Sequence, residues 1–97
     1  MNVHQEHISQ AELMKKFRKG QRFRDLLQLY ADDYFDAGAG YTDREAAAML
    51  EVERCATSIG SMINWGLIAP IRGSKPRRCR LQSRGLSLLI KMREVRT

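Results

Sequence analysis

A mainly α-helical fold with one small β-hairpin is what this sequence predicts, and three observations carry that expectation. Two Ser/Thr-x-x-Glu signatures, Ser9 with Glu12 and Thr42 with Glu45, have the spacing of a capping box and so mark helix starts. Apolar residues recur at intervals of three and four from Phe23 to Tyr34, the period of a helix with one buried stripe. A Gly-Leu-Ile exit at Gly66 leads into two short runs separated by a Gly/Ser/Pro turn, which reads as a hairpin. With 97 residues the chain can hold one domain around a single core, and its 43% apolar content agrees with a folded protein.

Taken in order, residues 1–8 are polar and aperiodic and are expected to form a mobile arm. Ser9-Gln10-Ala11-Glu12 opens a short helix to about Arg18, with Leu13, Met14 and Phe17 on one face, and Lys19-Gly20 breaks it. The chain therefore divides into 1–20, an N-terminal arm with a short helix, and 21–97, the domain proper. From Gln21 to Ala37, Phe23, Leu26, Leu27, Tyr30 and Tyr34 form a stripe facing the core, with Phe35 beside it against a neighbouring segment. Asp32, Asp33 and Asp36 crowd the last turn, where the helix dipole disfavours anions. Either a partner or a basic residue such as Arg44 answers them, or they form a solvated patch. Gly38-Ala39-Gly40 ends this helix.

Thr42-Asp43-Arg44-Glu45 opens the next helix, to Leu50, in which Ala46, Ala47, Met49 and Leu50 offer modest apolar surface. Glu51-Val52-Glu53 makes a turn with Val52 inward. A further helix is expected from about Arg54 to Asn64, with Cys55, Ile59, Met62 and Ile63 inside and Thr57, Ser58, Ser61 and Asn64 outside or at the rim. Trp65-Gly66 closes it. The strand from Leu67 to Arg72 contains Pro70 and so belongs at an edge. Gly73-Ser74-Lys75-Pro76 turns the chain, and Arg77 to Leu81 returns, with Arg72, Lys75, Arg77 and Arg78 expected at the tip. Ser83-Arg84-Gly85 leads into a last helix to about Arg96. Its Leu86, Leu88, Leu89, Ile90, Met92 and Val95 exceed one stripe, which predicts a second packing partner.

Charge is distributed unevenly. Residues 1–24 carry six Lys/Arg and two Asp/Glu, residues 25–53 one and eight, residues 54–70 one and none, and residues 71–97 nine and one. Folding can gather the basic ends into a footprint for a polyanion, or the charge can simply be solubilising. No apolar run approaches the roughly 18 residues of a membrane span, and Met1-Asn2-Val3-His4-Gln5-Glu6 lacks the order of a secretory signal, so a cytoplasmic protein is expected. Cys55 and Cys79 have no short pairing motif and are expected to be free thiols. His4 and His7 lack a third ligand, and no nucleophile elbow or phosphate loop occurs. No metal, no cofactor and no enzymatic activity are expected.

Four pieces of sequence resemble the winged helix-turn-helix superfamily, particularly small bacterial and phage regulators and repressors of the multiple-antibiotic-resistance type. They are Thr42-Asp43-Arg44-Glu45-Ala46-Ala47, Gly66-Leu67-Ile68, the basic segment Arg72 to Arg80, and Leu81-Gln82-Ser83-Arg84-Gly85-Leu86-Ser87-Leu88-Leu89, which looks like that family's Leu-Thr-x-x-Gly-x-x-Leu-Leu ending. They span roughly half the chain. The stretch from Leu50 to Gly66 is shorter than in many relatives, and Arg54 is the only cation of the helix that would read DNA.

The resemblance implies a recognition helix at about 54–64 and a basic wing at 72–80. Arg54, Thr57, Ser58, Ser61 and Asn64 are the helix candidates: Asn64 to bond adenine or cap the helix end, Thr57 and Ser58 to touch phosphate or a thymine methyl, or face water. Arg72, Lys75, Arg77, Arg78 and Arg80 are the wing candidates, suited to phosphates and a narrow minor groove. Lys15, Lys16, Arg18, Arg22 and Arg24 are either a further contact or a solvated face. The function expected is a sequence-specific double-stranded DNA-binding transcriptional regulator, a repressor, acting as a homodimer through the final helix. The rival expectation is a winged-helix interaction module, an inhibitor or assembly adaptor, whose partner is protein.

Overall fold

Two helix starts, after Ser9 and Thr42, fall where capping residues put them. In the computed structural model, which describes residues 8–96, the order is α1 (Gln10–Lys19), α2 (Gln21–Asp36), β1 (Tyr41–Thr42), α3 (Asp43–Met49), α4 (Ala56–Asn64), β2 (Ile68–Pro70), β3 (Arg78–Leu81) and α5 (Ser83–Arg96). Ser9 Oγ accepts the Glu12 N–H at 3.1 Å. At α3 both halves of the box form: Thr42 Oγ1 accepts the Glu45 N–H at 3.1 Å, and Glu45 Oε1 accepts the Thr42 N–H at 2.9 Å. These contacts satisfy donors that the first helical turn leaves open. The fold is thus mainly helical with a small antiparallel sheet.

That sheet has three strands in the order β1-β3-β2, one more than the expected hairpin. β1 escaped the sequence reading because a strand of two residues has no periodicity to detect. β3 is central, pairing Tyr41 with Cys79 on one side and Ile68 with Leu81 on the other. Pro70 stands on an edge strand, as a residue without an N–H must.

The core runs through every layer. α1 contributes Leu13 and Phe17, α2 Leu26, Leu27, Tyr30 and Ala31, α3 Ala46 and Ala47, α4 Ile59 and Met62, the sheet Ile68, Cys79 and Leu81, and α5 Leu88 and Leu89. Phe17, Phe23 and Trp65 stack around the end of α4, with ring centroids 5.2 to 6.3 Å apart. Ile8, assigned to the mobile arm, is instead buried, and its carbonyl accepts a hydrogen bond from Arg84. The rest of the expected arm, with His4 and His7, lies outside the described residues.

The end of α2 departs from expectation. Tyr34 lies on the apolar stripe yet is 49% exposed, the buried position of that turn being taken by Asp33, three residues after Tyr30. Phe35, expected against a neighbouring segment, is 68% exposed. Asp33 is buried instead, and its Oδ2 accepts the Gly40 N–H at 2.9 Å, so its answer is a backbone amide rather than Arg44. Gly40 has φ +83°, and a Cβ there would stand 2.6 Å from the Cys79 carbonyl oxygen, so both conformation and space demand glycine. Met49, expected to add apolar packing surface, is also exposed.

Candidate nucleic-acid interface

Alternation along β3 turns Cys79 and Leu81 inward and leaves Arg80 exposed. Before it, the turn is organised by one hydroxyl: Ser74 Oγ donates to the Ile71 carbonyl at 2.7 Å and accepts the Arg78 N–H at 2.9 Å. Arg72 and Lys75 flank Ser74 and are exposed, and no ion pair reaches them or Arg80 among the described residues.

Arg77 and Arg78, expected as free cations of the tip, stand where the turn enters β3 and are both bound to the body of the fold. Arg77 Nε donates to Asp43 Oδ1 at 3.1 Å, and its Nη2 donates to Asp43 Oδ2 at 2.9 Å and to the Ala56 carbonyl at 3.4 Å. One guanidinium therefore joins the hairpin to the heads of both α3 and α4. Arg78 Nη1 donates to the Gly40 carbonyl at 3.0 Å and lies 2.8 Å from Glu45 Oε1. These arginines hold the hairpin in place through charge-assisted bonds.

α4 starts at Ala56, so Arg54 precedes the helix rather than lying on it. The Arg54 carbonyl accepts a hydrogen bond from Arg22 Nη1 at 2.9 Å, while its own side chain is exposed. Thr57 and Asn64 are exposed, whereas Ser58 and Ser61 are half-buried at the rim. α4 bears no charged residue, and a Cβ on Gly60, in its middle, would meet nothing within 4 Å. Its outer face is small, polar and open. Its end is sealed by the Leu67 N–H donating to the Met62 carbonyl at 3.0 Å, with Gly66 at φ +74°.

Two residues that the site candidates omitted adjoin this face. Arg44 and Arg54 line one shallow depression with Val52 and Ala56, and Arg22 lines another with Arg54, Thr57 and Ser58. Arg44 could have been found from its place in the first turn of a capped helix. Arg22 is expected with Lys15, Lys16, Arg18 and Arg24 as a further contact or a solvated face, but its bond to the Arg54 carbonyl, 32 residues away, has no signal in the sequence. On α1, Lys16 lies over the Trp65 ring at 5.5 Å, beside the end of α4, with Lys15 and Lys19 exposed nearby. Arg24 is turned inward, donating to the Phe17 carbonyl at 3.0 Å.

Titration follows from these surroundings. The Thr42 N–H, and after it Arg78, holds the Glu45 carboxyl below its usual range. Burial pushes the Cys79 thiol up to about 11 and also raises Cys55, with Asp43 adding to both. Both cysteines are free and buried. Burial likewise raises the Tyr30 phenol, which donates to the Tyr41 carbonyl at 3.3 Å. Among the described residues no helix is long and apolar enough to cross a membrane.

Comparison with protein-family models, with curated proteins and with solved structures found no match.

Proposed function

We propose that this chain is a winged helix-turn-helix protein that binds double-stranded DNA as a cytoplasmic transcriptional regulator without enzymatic activity. The fold reading is supported by the succession helix, short strand, two helices, strand, basic turn and strand, with β3 between its two partners. α4 is the recognition helix and residues 72–80 are the wing.

The observation that carries the reading is the Arg77 joint. By holding Asp43 and the Ala56 carbonyl together, it sets the hairpin beside the head of α4 while Arg72, Lys75 and Arg80 stay unpaired among the described residues. In this reading affinity comes from phosphate contacts made by those three side chains, with Arg44 and Arg54 beside α4. Sequence is read by short polar groups, the exposed Thr57 and Asn64, with the half-buried Ser58 and Ser61 at the margin. A glycine inside a helix costs roughly 0.5–1 kcal/mol relative to alanine. Nothing in the fold occupies the space above Gly60, which suits the close approach of a groove wall.

Repression by occluding a promoter and homodimerisation through α5 belong to the same proposal. Leu88 and Leu89 are buried within the chain, so the seam would centre on Ile90, which is 48% exposed. Twofold symmetry would make the target a pseudo-palindrome. Selection from random duplexes tests the function: an enriched motif supports it, and its half-site symmetry reports the dimer. A chain that retains no duplex at low salt would instead be a module directed at protein.

A further inference from the structure

We propose that the C-terminal turn of α2 is a docking surface for a cationic protein segment carrying an apolar anchor. The surface is built around Phe35 and Tyr34, 68% and 49% exposed, whose rings meet edge to face with centroids 5.2 Å apart. Asp32 and Asp36, four positions apart, form one row of the helix, and Phe35 stands beside that row, three positions after Asp32. Asp32 Oδ1 accepts a hydrogen bond from the neutral Gln28 amide at 2.8 Å, and among the described residues no ion pair reaches either carboxylate.

Two costs coincide here, and one kind of partner relieves both. Large aromatic surface lies in water, and two anions occupy the helix end at which the dipole opposes them. A segment with Lys or Arg beside a Leu, Ile, Met or aromatic side chain covers the Phe35 ring and neutralises the carboxylates of the row beside it. Arginine can also lie on the aromatic faces. The surface is firmly mounted: the Asp33 carbonyl accepts the Gly38 N–H at 2.6 Å while its buried carboxylate holds Gly40.

This surface is set apart from the end of α4 but adjoins the hairpin, since Asp33 holds Gly40 and the Gly40 carbonyl accepts Arg78. Phe23, near the start of α2, touches Trp65 beside α4, and Phe35 lies twelve residues further on, roughly 18 Å along the axis at the helical rise. The chain's own cations make a second copy the competing occupant.

The test is to pan a phage-displayed library of random peptides on the immobilised full chain, with counter-selection on Phe35→Ala. Recovered clones are expected to carry Lys or Arg around an apolar residue. Their synthetic peptides should bind at least about tenfold more weakly to Phe35→Ala and to Asp32→Asn/Asp36→Asn. Both variants should keep wild-type helical circular dichroism. Failure to enrich, recovery of acidic peptides, or equal binding to Phe35→Ala overturns the proposal. So does self-association in sedimentation equilibrium that Phe35→Ala abolishes, since the occupant would then be a second copy. Absence of duplex binding would leave this proposal standing, because neither the surface nor its assay involves nucleic acid.

Discussion

Arg77 and Asp43 stand 34 residues apart in the chain and form a two-point pair, with Nε and Nη2 each donating to one carboxylate oxygen at 3.1 and 2.9 Å. The pair is part-exposed, at 40% and 28% of the side chains, so solvent screens its attraction. Its value lies in geometry: the planar fork fixes where the hairpin stands relative to α3 and α4.

A double-mutant cycle in urea with Arg77→Ala and Asp43→Ala should therefore return a coupling of about 0.5–1.5 kcal/mol. Arg77→Lys should recover little of it, because one ammonium cannot reproduce the fork. Strictly additive losses would mean that the two side chains do not act together.

The helical glycines should respond in opposite directions. A Cβ on Gly85 would press on the Leu67 carbonyl and stand 2.7 Å from Leu81 Cδ1, so Gly85→Ala should destabilise by about 1–3 kcal/mol. Gly60→Ala meets open space and should stabilise by about 0.5–1 kcal/mol. The same Gly60→Ala should weaken duplex binding if α4 lies close in a groove. Thermal melts and a binding titration on the two variants read both effects.

This contrast marks what could be read in sequence and what could not. The start of α3 was legible because a capping box is local: Thr42 and Glu45 are three residues apart and both bonds form, whereas α4, which no side chain caps, starts two residues later than expected. The body of α2 was legible through its period, but period could not show that Asp33, bonded to the Gly40 N–H, would take the buried place of its last turn and leave Tyr34 in solvent. Arg77 and Arg78 looked like free cations of a turn. Their carboxylate partners lie 34 and 33 residues back, and only folding brings them within reach. The apolar excess of α5 was visible too, yet Leu88 and Leu89 are buried within the same chain. Of the candidate site, the cations Arg72, Lys75 and Arg80 and the small polar face of α4 were legible, whereas the placement of Arg22 and Arg44 beside Arg54 came only from packing.

The buried thiols should be slow to react. With Cys79 pushed up to about 11 and Cys55 raised, both are protonated near neutral pH and lack the thiolate that attacks a disulfide reagent. Aromatic-disulfide labelling should be slow in the native protein and rapid for both sulfurs in urea. Fast labelling of either sulfur without denaturant would contradict the packing described around them.

Acid should loosen the head of α3. Glu45 has a carboxyl lowered from 4.5, first by its bond from the Thr42 N–H and then by Arg78. Its contribution is present above the unfolded value of 4.5 and is lost as pH falls through the lower folded value. Wild type should therefore lose more stability than Glu45→Gln between about pH 5 and pH 3, as measured by urea midpoints. Identical pH profiles would remove Glu45 from the acid response.

Duplex binding is tested by its salt dependence for wild type and an Arg72→Ala/Lys75→Ala/Arg80→Ala variant. These side chains make no ion pair among the described residues, so the variant should keep its melting temperature. Each lost phosphate contact should flatten the slope of log K against log salt by about 0.9, giving a variant shallower by roughly two to three and much weaker at low salt. An unchanged slope with undiminished affinity, or a wild-type chain that ignores duplex DNA at low salt, would contradict the account.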